Sequence, residues 1–172
     1  DITDKSAVEK TIKGATYVVS FVGGPKKPSE YPEDMMLNFV QLLWPLLDAE
    51  NSVKVFVYQS GGLSAVPGKP LTMMTKVIRF IASRAMGIGP MIADNEKAAV
   101  WMHENKKDSF AFIVTLPGEL KEGDSEEAVE CTNDAPLPMR PITFRGLAIA
   151  TVNALSNQNL YGTFPYVVPT KK

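Results

Sequence analysis

Three turns that end apolar segments carry the residues best suited to chemistry. They are Gly23-Gly24, Ser60-Gly61-Gly62 and Pro117-Gly118. Glycine lets a ligand approach the backbone closely, and the Ser60 hydroxyl could hydrogen-bond a substrate carbonyl. The alternative is that each glycine simply ends a strand and that Ser60 caps its turn. Three turns in the same relation to their strands favour a ligand site.

The segments that must position these turns alternate between strand and helix. Nearly continuous apolar, β-branched runs predict strands buried on both faces at 17–22, 53–58 and 110–115. Asp4 is predicted to cap a helix before the first strand. Apolar residues at helical spacing predict helices between and after the strands, including one from Asp94 to roughly Glu104 and one from Phe144. Residues 127–132 and 161–168 are predicted to be extended. The predicted fold class is α/β, with a doubly wound, mostly parallel sheet. Ligands of such sheets lie outside the carboxyl ends of the strands.

Composition limits the classes of protein and site. The 172 residues, 45% hydrophobic and 22% charged, predict a single globular domain over 1–172. Eighteen basic and nineteen acidic residues argue against a nucleic-acid binder. The single Cys131 and single His103 exclude a zinc site of several Cys and His ligands and fit a reducing, intracellular compartment, cytoplasmic by default with an organelle left open. No apolar run is long enough to span a membrane.

Four stretches follow one another in the order in which similar stretches occur in a known protein family. They are DITD at 1–4, KGATYVVSFVGG at 13–24, VFVYQSG at 55–61 and IVTLPG at 113–118. Together they resemble an atypical short-chain dehydrogenase/reductase of the NAD(P)-binding Rossmann superfamily. Within it, the chain is most similar to the NmrA-like group and to the flavin reductase and biliverdin reductase B-like group. The resemblance covers most of the chain.

The resemblance implies an NAD or NADP cofactor and places residues around it. The implied cofactor-binding positions are Asp1, Ile2, Gly23, Gly24, Ser60, Gly61, Pro117, Gly118 and Leu120. In that arrangement the first two lie beside the adenine, the glycine pair follows the ribose and pyrophosphate, and the last three close over the nicotinamide. Ser60 takes the position of the family's active-site serine. Residues 142–148 are similar to the start of a family helix.

The chain lacks the family's Gly-rich fingerprint and the first βαβ unit that carries it. We therefore expect 1–172 to hold the carboxyl two-thirds of the domain, without its first strands. The segment 17–22 would then be a bare sheet edge, which is an aggregation hazard. Three explanations stay open: the unit precedes Asp1 in a longer chain, a partner chain or second copy covers the edge, or another segment replaces it.

The chain also lacks the family's tyrosine four residues before a lysine, which acts as general acid or base. Lys97 lies in the expected helix, but Ala93 holds the tyrosine position. We expect hydride transfer from NAD(P)H to a small apolar or aromatic acceptor, with Ser60 as the catalytic residue that orients the acceptor. Lys97 either reaches a cofactor hydroxyl or simply decorates its helix. The alternatives are a non-catalytic dinucleotide sensor, an assembly subunit, or an interaction module that binds no dinucleotide.

Four further features carry open alternatives. The methionine-rich, basic segment 71–92 is interpreted as core packing, as a lid over an apolar substrate, as a partner-binding helix or as a membrane-surface helix. The pair Lys26-Lys27 could favour a phosphate or lie in a solvated loop. We expect His103 at a solvated helix end, and Cys131 as a strand residue rather than a nucleophile.

Overall fold

The computed structural model describes residues 1–25, 27–123, 128–134 and 140–170. Its helices are α1 (Lys5–Ile12), α2 (Met35–Ala49), α3 (Met73–Met86), α4 (Gly89–Glu104) and α5 (Phe144–Ala154). Its strands are β1 (Tyr17–Ser20), β2 (Val55–Gln59), β3 (Ala111–Pro117), β4 (Leu120–Lys121), β5 (Val129–Thr132), β6 (Ile142–Thr143) and β7 (Tyr166–Pro169). Short 3₁₀ helices span Pro28–Glu30 and Gln158–Leu160.

One sheet organises these elements, in the strand order β1-β2-β3-β7-β5. The first four strands are parallel and β5 runs antiparallel to β7, while β4 and β6 form a separate parallel pair. This confirms the predicted α/β class with a mostly parallel, Rossmann-like sheet. The extra strand predicted at 127–132 is β5, although Glu127 itself lies outside the described residues.

Helices cover both faces of the sheet, which explains the continuous apolar character of β2. Phe56 and Tyr58 pack into the cluster that α1, α2 and α4 contribute to. Val55 and Val57 point to the other face, where they pack with Ala154 of α5. All four strand residues are buried. A strand covered on both sides needs no polar alternation, as the sequence predicted.

The outer strand of the sheet is β1. No strand lies on its outer side in the part of the chain that the structure describes. Tyr17 and Phe21 are each about half exposed there. The predicted edge at 17–22 is thus present, but its regular pairing stops at Ser20.

The helix ends predicted from the sequence agree with the structure at some positions and differ at others. Asp4 caps α1 as predicted, since its carboxylate accepts from the Ser6 and Ala7 N–H groups at 2.9 and 3.2 Å. The prediction that a helix begins at Asp94 is wrong, because α4 begins at Gly89. The last helix begins at Phe144 as predicted, directly after the two residues of β6.

Helix α3 departs most from an ordinary surface helix. None of its residues is buried. The core-packing interpretation of 71–92 is therefore wrong for this helix. No helix within the described ranges is long and apolar enough to cross a membrane.

Candidate functional site

The carboxyl ends of β2 and β3 meet in what we call the strand-end site, residues 59–62 and 115–118. The Ser60 N–H donates to the Thr115 carbonyl at 2.9 Å, and the Gly62 N–H donates to the Pro117 carbonyl at 2.7 Å. The Ser60 side chain is nearly buried, with its Oγ 3.4 Å from that of Ser64. Two of the three predicted turns are therefore joined directly by backbone hydrogen bonds.

The glycines of these turns differ in the space beside them. A Cβ added at Gly23 or Gly61 would meet no atom within 4 Å. A Cβ added at Gly24 would lie 2.8 Å from the Tyr31 ring and 3.3 Å from the Met91 sulfur. Gly23 and Gly61 thus leave room for a ligand to approach the backbone, whereas the space beside Gly24 is filled by the protein itself.

Gln59 is a member of the strand-end site that the sequence analysis missed. Its Oε1 atom is buried and has no hydrogen-bond partner among the described residues. A buried acceptor without a donor costs free energy, so this oxygen is suited to accept a hydrogen bond from a ligand. The available signal was an amide side chain at the end of an otherwise apolar and aromatic strand, next to Ser60.

Beside the strand ends, α4 carries four consecutive polar residues, 94–97, which we call the α4 polar turn. Asp94, only 2% exposed, accepts from the Tyr31 hydroxyl at 2.6 Å and from the Met36 and Leu37 N–H groups at 2.7 and 3.1 Å. It therefore caps α2 from a distant part of the chain, because Asp34 at the α2 N-terminus makes no side-chain cap.

Asn95 and Glu96, the next two residues of the α4 polar turn, bind other elements. Asn95 Oδ1 accepts from the Tyr58 hydroxyl at 2.7 Å. Glu96 accepts from the Ala65 N–H and forms an ion pair with Arg79. The sequence analysis treated this turn as a helix start and missed these contacts. Successive helical residues point about 100° apart, so one turn reaches several elements.

The two buried phenols near the turn are held neutral. Burial, reinforced by the hydrogen bond to Asp94, raises the pKa of Tyr31 far above its ordinary range. Burial, with the charge of Asp94 adding to it, does the same to the pKa of Tyr58. Neither phenol is therefore suited to give up its proton near neutral pH, in contrast to the activated tyrosine of typical short-chain dehydrogenases.

Lys97 is engaged within the protein. Its ammonium forms an ion pair with Asp34, and that hydrogen bond raises the pKa of Lys97. Ala93, at the position of the family's tyrosine, is exposed. The role of Lys97 in reaching a cofactor hydroxyl stays a prediction, and it would require the amine to leave Asp34 or to serve both.

The remaining predicted cofactor contacts have ordinary structural surroundings. Asp1 Oδ1 accepts from both the N–H and the hydroxyl of Thr3 at 2.9 Å, and Ile2 packs against the main core. Leu120 pairs with Ile142 in the small sheet. Their roles toward a dinucleotide stay predictions. Of the Lys26-Lys27 pair, Lys26 lies outside the described residues.

Lys27 and His103 occupy different kinds of environment. Exposed Lys27 forms an ion pair with Glu30 at 3.1 Å. His103 lies in the last turn of α4, at the helix end where it was expected. It is half-buried rather than fully solvated: its Nδ1 is buried with no hydrogen-bond partner among the described residues, and its ring centroid lies 5.8 Å from that of Phe164.

Cys131 lies in β5, as expected of a strand residue. Burial, with a smaller contribution from the charge of Glu130, raises the pKa of its thiol to about 11. A nucleophilic cysteine needs the opposite shift.

Two grooves lie away from the strand ends. One of about 570 Å³ lies between α3 and the loop that follows the strand-end site, and its lining includes Ala65, Leu71 and Phe80. Another of about 380 Å³ lies between α1 and α2. The lining of neither includes Gly23, Ser60 or Pro117.

No protein-family model and no curated protein matches this sequence. Solved structures do share its fold. The oxidoreductase ylbE from Lactococcus lactis matches with a TM-score of 0.69 and 14% identity, covering 100% of this chain and 70% of that one. ChuY from Escherichia coli O157:H7, described as an anaerobillin reductase, matches with a TM-score of 0.67 and 12% identity. That match covers 100% of this chain and 74% of ChuY.

A Rossmann-fold NAD(P)-binding family protein from Shigella flexneri matches with a TM-score of 0.63 and 12% identity, covering 100% of this chain and 71% of that one. At these identities the similarity concerns the fold. The chain shares a Rossmann-like fold with these structures and spans 70–74% of their length.

Proposed function

We propose that this protein binds a nicotinamide dinucleotide at the strand-end site and uses it to reduce a small apolar or aromatic acceptor. The observation that carries the proposal is the joined pair of turns, in which Ser60 is bonded to Thr115, Gly62 is bonded to Pro117, and open space lies over Gly61. Rossmann sheets bind their ligands at such strand ends. The fold shared with an oxidoreductase and a reductase supports the same role.

The residues present fit the nicotinamide end of a dinucleotide. The unpartnered Gln59 oxygen is suited to accept from an amide N–H. Gly61 leaves the backbone accessible, and Pro117 and Gly118 form the adjacent turn. We propose that the residues of this chain contribute nicotinamide and ribose contacts; a Gly-rich loop for the pyrophosphate does not occur within residues 1–172.

The protein's part in the reaction is orientation. The dinucleotide, when bound, supplies the hydride. Ser60, whose Oγ lies 3.4 Å from the Ser64 Oγ, can donate to a carbonyl or ring heteroatom of the acceptor. Because Tyr31 and Tyr58 hold their protons firmly, solvent or the acceptor itself provides the proton. This favours acceptors that stabilise negative charge, such as flavins and quinones, over simple ketones.

Calorimetric titration with NADPH and NADH tests dinucleotide binding, and the variant Gly61→Ala tests whether the dinucleotide binds at the strand-end site. The added methyl occupies open space without disturbing the fold, so we expect affinity to fall about tenfold with an unchanged melting temperature. Gly89→Ala, whose added Cβ meets only the Ser83 side chain, is the matched control. Saturable binding that Gly61→Ala leaves unchanged would move the site elsewhere, and no binding of either nucleotide would refute the proposal.

Turnover is tested by following NADPH oxidation with FMN or a quinone as acceptor. We expect Ser60→Ala to lower kcat by roughly ten- to a hundredfold while the NADPH dissociation constant stays the same. Equal activity in Ser60→Ala would remove its proposed role.

A second candidate is a dinucleotide sensor without catalysis. The observation that favours it is the Lys97–Asp34 ion pair together with Ala93, because the proton-transfer pair of typical members is absent. Tight NADPH binding with no oxidation by either acceptor would select this function.

A further inference from the structure

The amphipathic helix α3 presents its apolar side to the outside. Seven large apolar side chains of α3 are between 49% and 75% exposed, and all but Met86 share one side of the helix. These six are Met73, Met74, Val77, Ile78, Phe80 and Ile81, which we call the α3 apolar face. At 100° per residue they fall within an arc of about 160°. This is a continuous apolar surface and not a scatter of single side chains.

The polar side of α3 faces the protein. Arg79 forms its ion pair with Glu96 of α4, and Ser83 lies against the start of α4, 3.4 Å from the position of a Cβ on Gly89. Thr75 and Ala82 are half-buried on the same side. The helix is therefore oriented opposite to an ordinary surface helix, which buries its apolar face. Its orientation is set by a charged contact that leaves the apolar face free.

The basic residues beside this face are Lys76 and Arg84. Residues 59–93 contain no Asp or Glu, and their two other basic residues are engaged elsewhere, since Arg79 pairs with Glu96 and Lys69 donates to the Phe164 carbonyl. Exposed Lys76 lies at the border of the apolar face. Arg84 lies within it, its guanidinium 5.3 Å from the centre of the Phe80 ring. A long basic side chain in that position can keep its apolar stem in an acyl layer and its charge at the headgroups.

We infer that α3 binds an anionic membrane surface, lying in the plane of the headgroups with the α3 apolar face inserted. An apolar face bordered by basic residues is the pattern of interfacial helices, and anionic lipids complement the positive segment. A second copy of the chain complements it poorly, since pairing two α3 helices would bring like charges together. This inference is independent of the proposed dinucleotide binding.

Sedimentation of the full chain with lipid vesicles tests the inference. We expect binding to phosphatidylcholine vesicles that contain phosphatidylserine, weak binding to pure phosphatidylcholine, and release at high salt. The double variant Lys76→Glu/Arg84→Glu should weaken binding to the anionic vesicles by at least about 25-fold, since each basic residue near the surface contributes about fivefold. Phe80→Asp should weaken it by tenfold or more, because it removes an inserted ring.

Val152→Asp is the matched control, since Val152 is 63% exposed on α5 and away from α3. It should bind as the unaltered chain does, and all variants should keep its melting temperature. No binding to the anionic vesicles would overturn the inference. So would binding that the α3 variants and Val152→Asp weaken equally. Self-association that Phe80→Asp abolishes, without vesicle binding, would assign the face to a second copy instead.

Discussion

Asp94 should be the most sensitive single position for the stability of this protein. Its buried carboxylate accepts three hydrogen bonds, from the Tyr31 hydroxyl and from the N–H groups of Met36 and Leu37. Asp94→Ala leaves the first turn of α2 without its cap. Helix α2 contributes seven buried residues to the core, so the loss acts on a central element.

The stability lost in Asp94→Ala depends on which of the three released donors can be hydrated. The Met36 N–H lies in the interior, whereas Leu37 and Tyr31 are only partly buried and can be rehydrated. Losing a helix cap costs about 1–2 kcal/mol, and leaving one buried donor unsatisfied costs about 1–3 kcal/mol more. We expect Asp94→Ala to lower the free energy of unfolding by about 3 kcal/mol. For a chain of this length that lowers the melting temperature by about 6–12 °C.

Urea unfolding followed by circular dichroism measures this loss, with three variants for comparison. Asp94→Asn keeps one acceptor oxygen and should cost about half as much. Tyr31→Phe removes only the phenol contact and should cost about 1 kcal/mol. Asp108→Ala, at an exposed position, should change stability by less than about 0.5 kcal/mol. A loss below about 1 kcal/mol for Asp94→Ala would refute the capping role.

Three further predictions concern other parts of the molecule. Gly24→Ala should destabilise the fold by about 1–3 kcal/mol because its Cβ would meet a ring at 2.8 Å, while Gly23→Ala, with open space, should be neutral in the same thermal melts. Alkylation of Cys131 at pH 8.5 should be on the order of 100-fold slower in the folded than in the unfolded protein, because its folded pKa is about 11. Since the unfolded thiol ionises first, stability from this group should fall as pH rises from the ordinary thiol pKa to about 11. Ser109→Ala should raise the pKa of Asp48 toward its ordinary value in an NMR titration, because the Ser109 hydroxyl is the main cause of its depression.

The sequence predicted the sheet well because its evidence is local and redundant. Each strand is a short apolar run ended by glycine or proline, and alternation with helices determines a parallel arrangement. The turns at Ser60 and Pro117 lie in register at the ends of adjacent strands, as predicted, and the structure joins them through Ser60–Thr115 and Gly62–Pro117 backbone hydrogen bonds. The strand-end site could be predicted for the same reason. Gln59 could not, because its importance depends on the burial of its side-chain oxygen rather than on its residue type.

The α4 polar turn and α3 could not be predicted from the same signals. The string Asp-Asn-Glu-Lys at 94–97 is typical of a solvated helix, and only its tertiary neighbours show that Asp94 is a buried cap. In α3, apolar periodicity predicts an amphipathic helix but does not say which side faces the protein. The Arg79–Glu96 ion pair decides that orientation, and it joins residues from different helices.

The α4 polar turn also has a consequence for local unfolding. Its four consecutive side chains bind α2, β2, the loop at Ala65, α3 and Asp34. Local unfolding of this one turn would release all of these contacts together. The amides that the contacts protect should therefore exchange with solvent as a single cooperative unit. The loop that follows the strand-end site would then open with the same free energy as the start of α2. Access to the site would be governed by the stability of a helix that does not itself line the two turns.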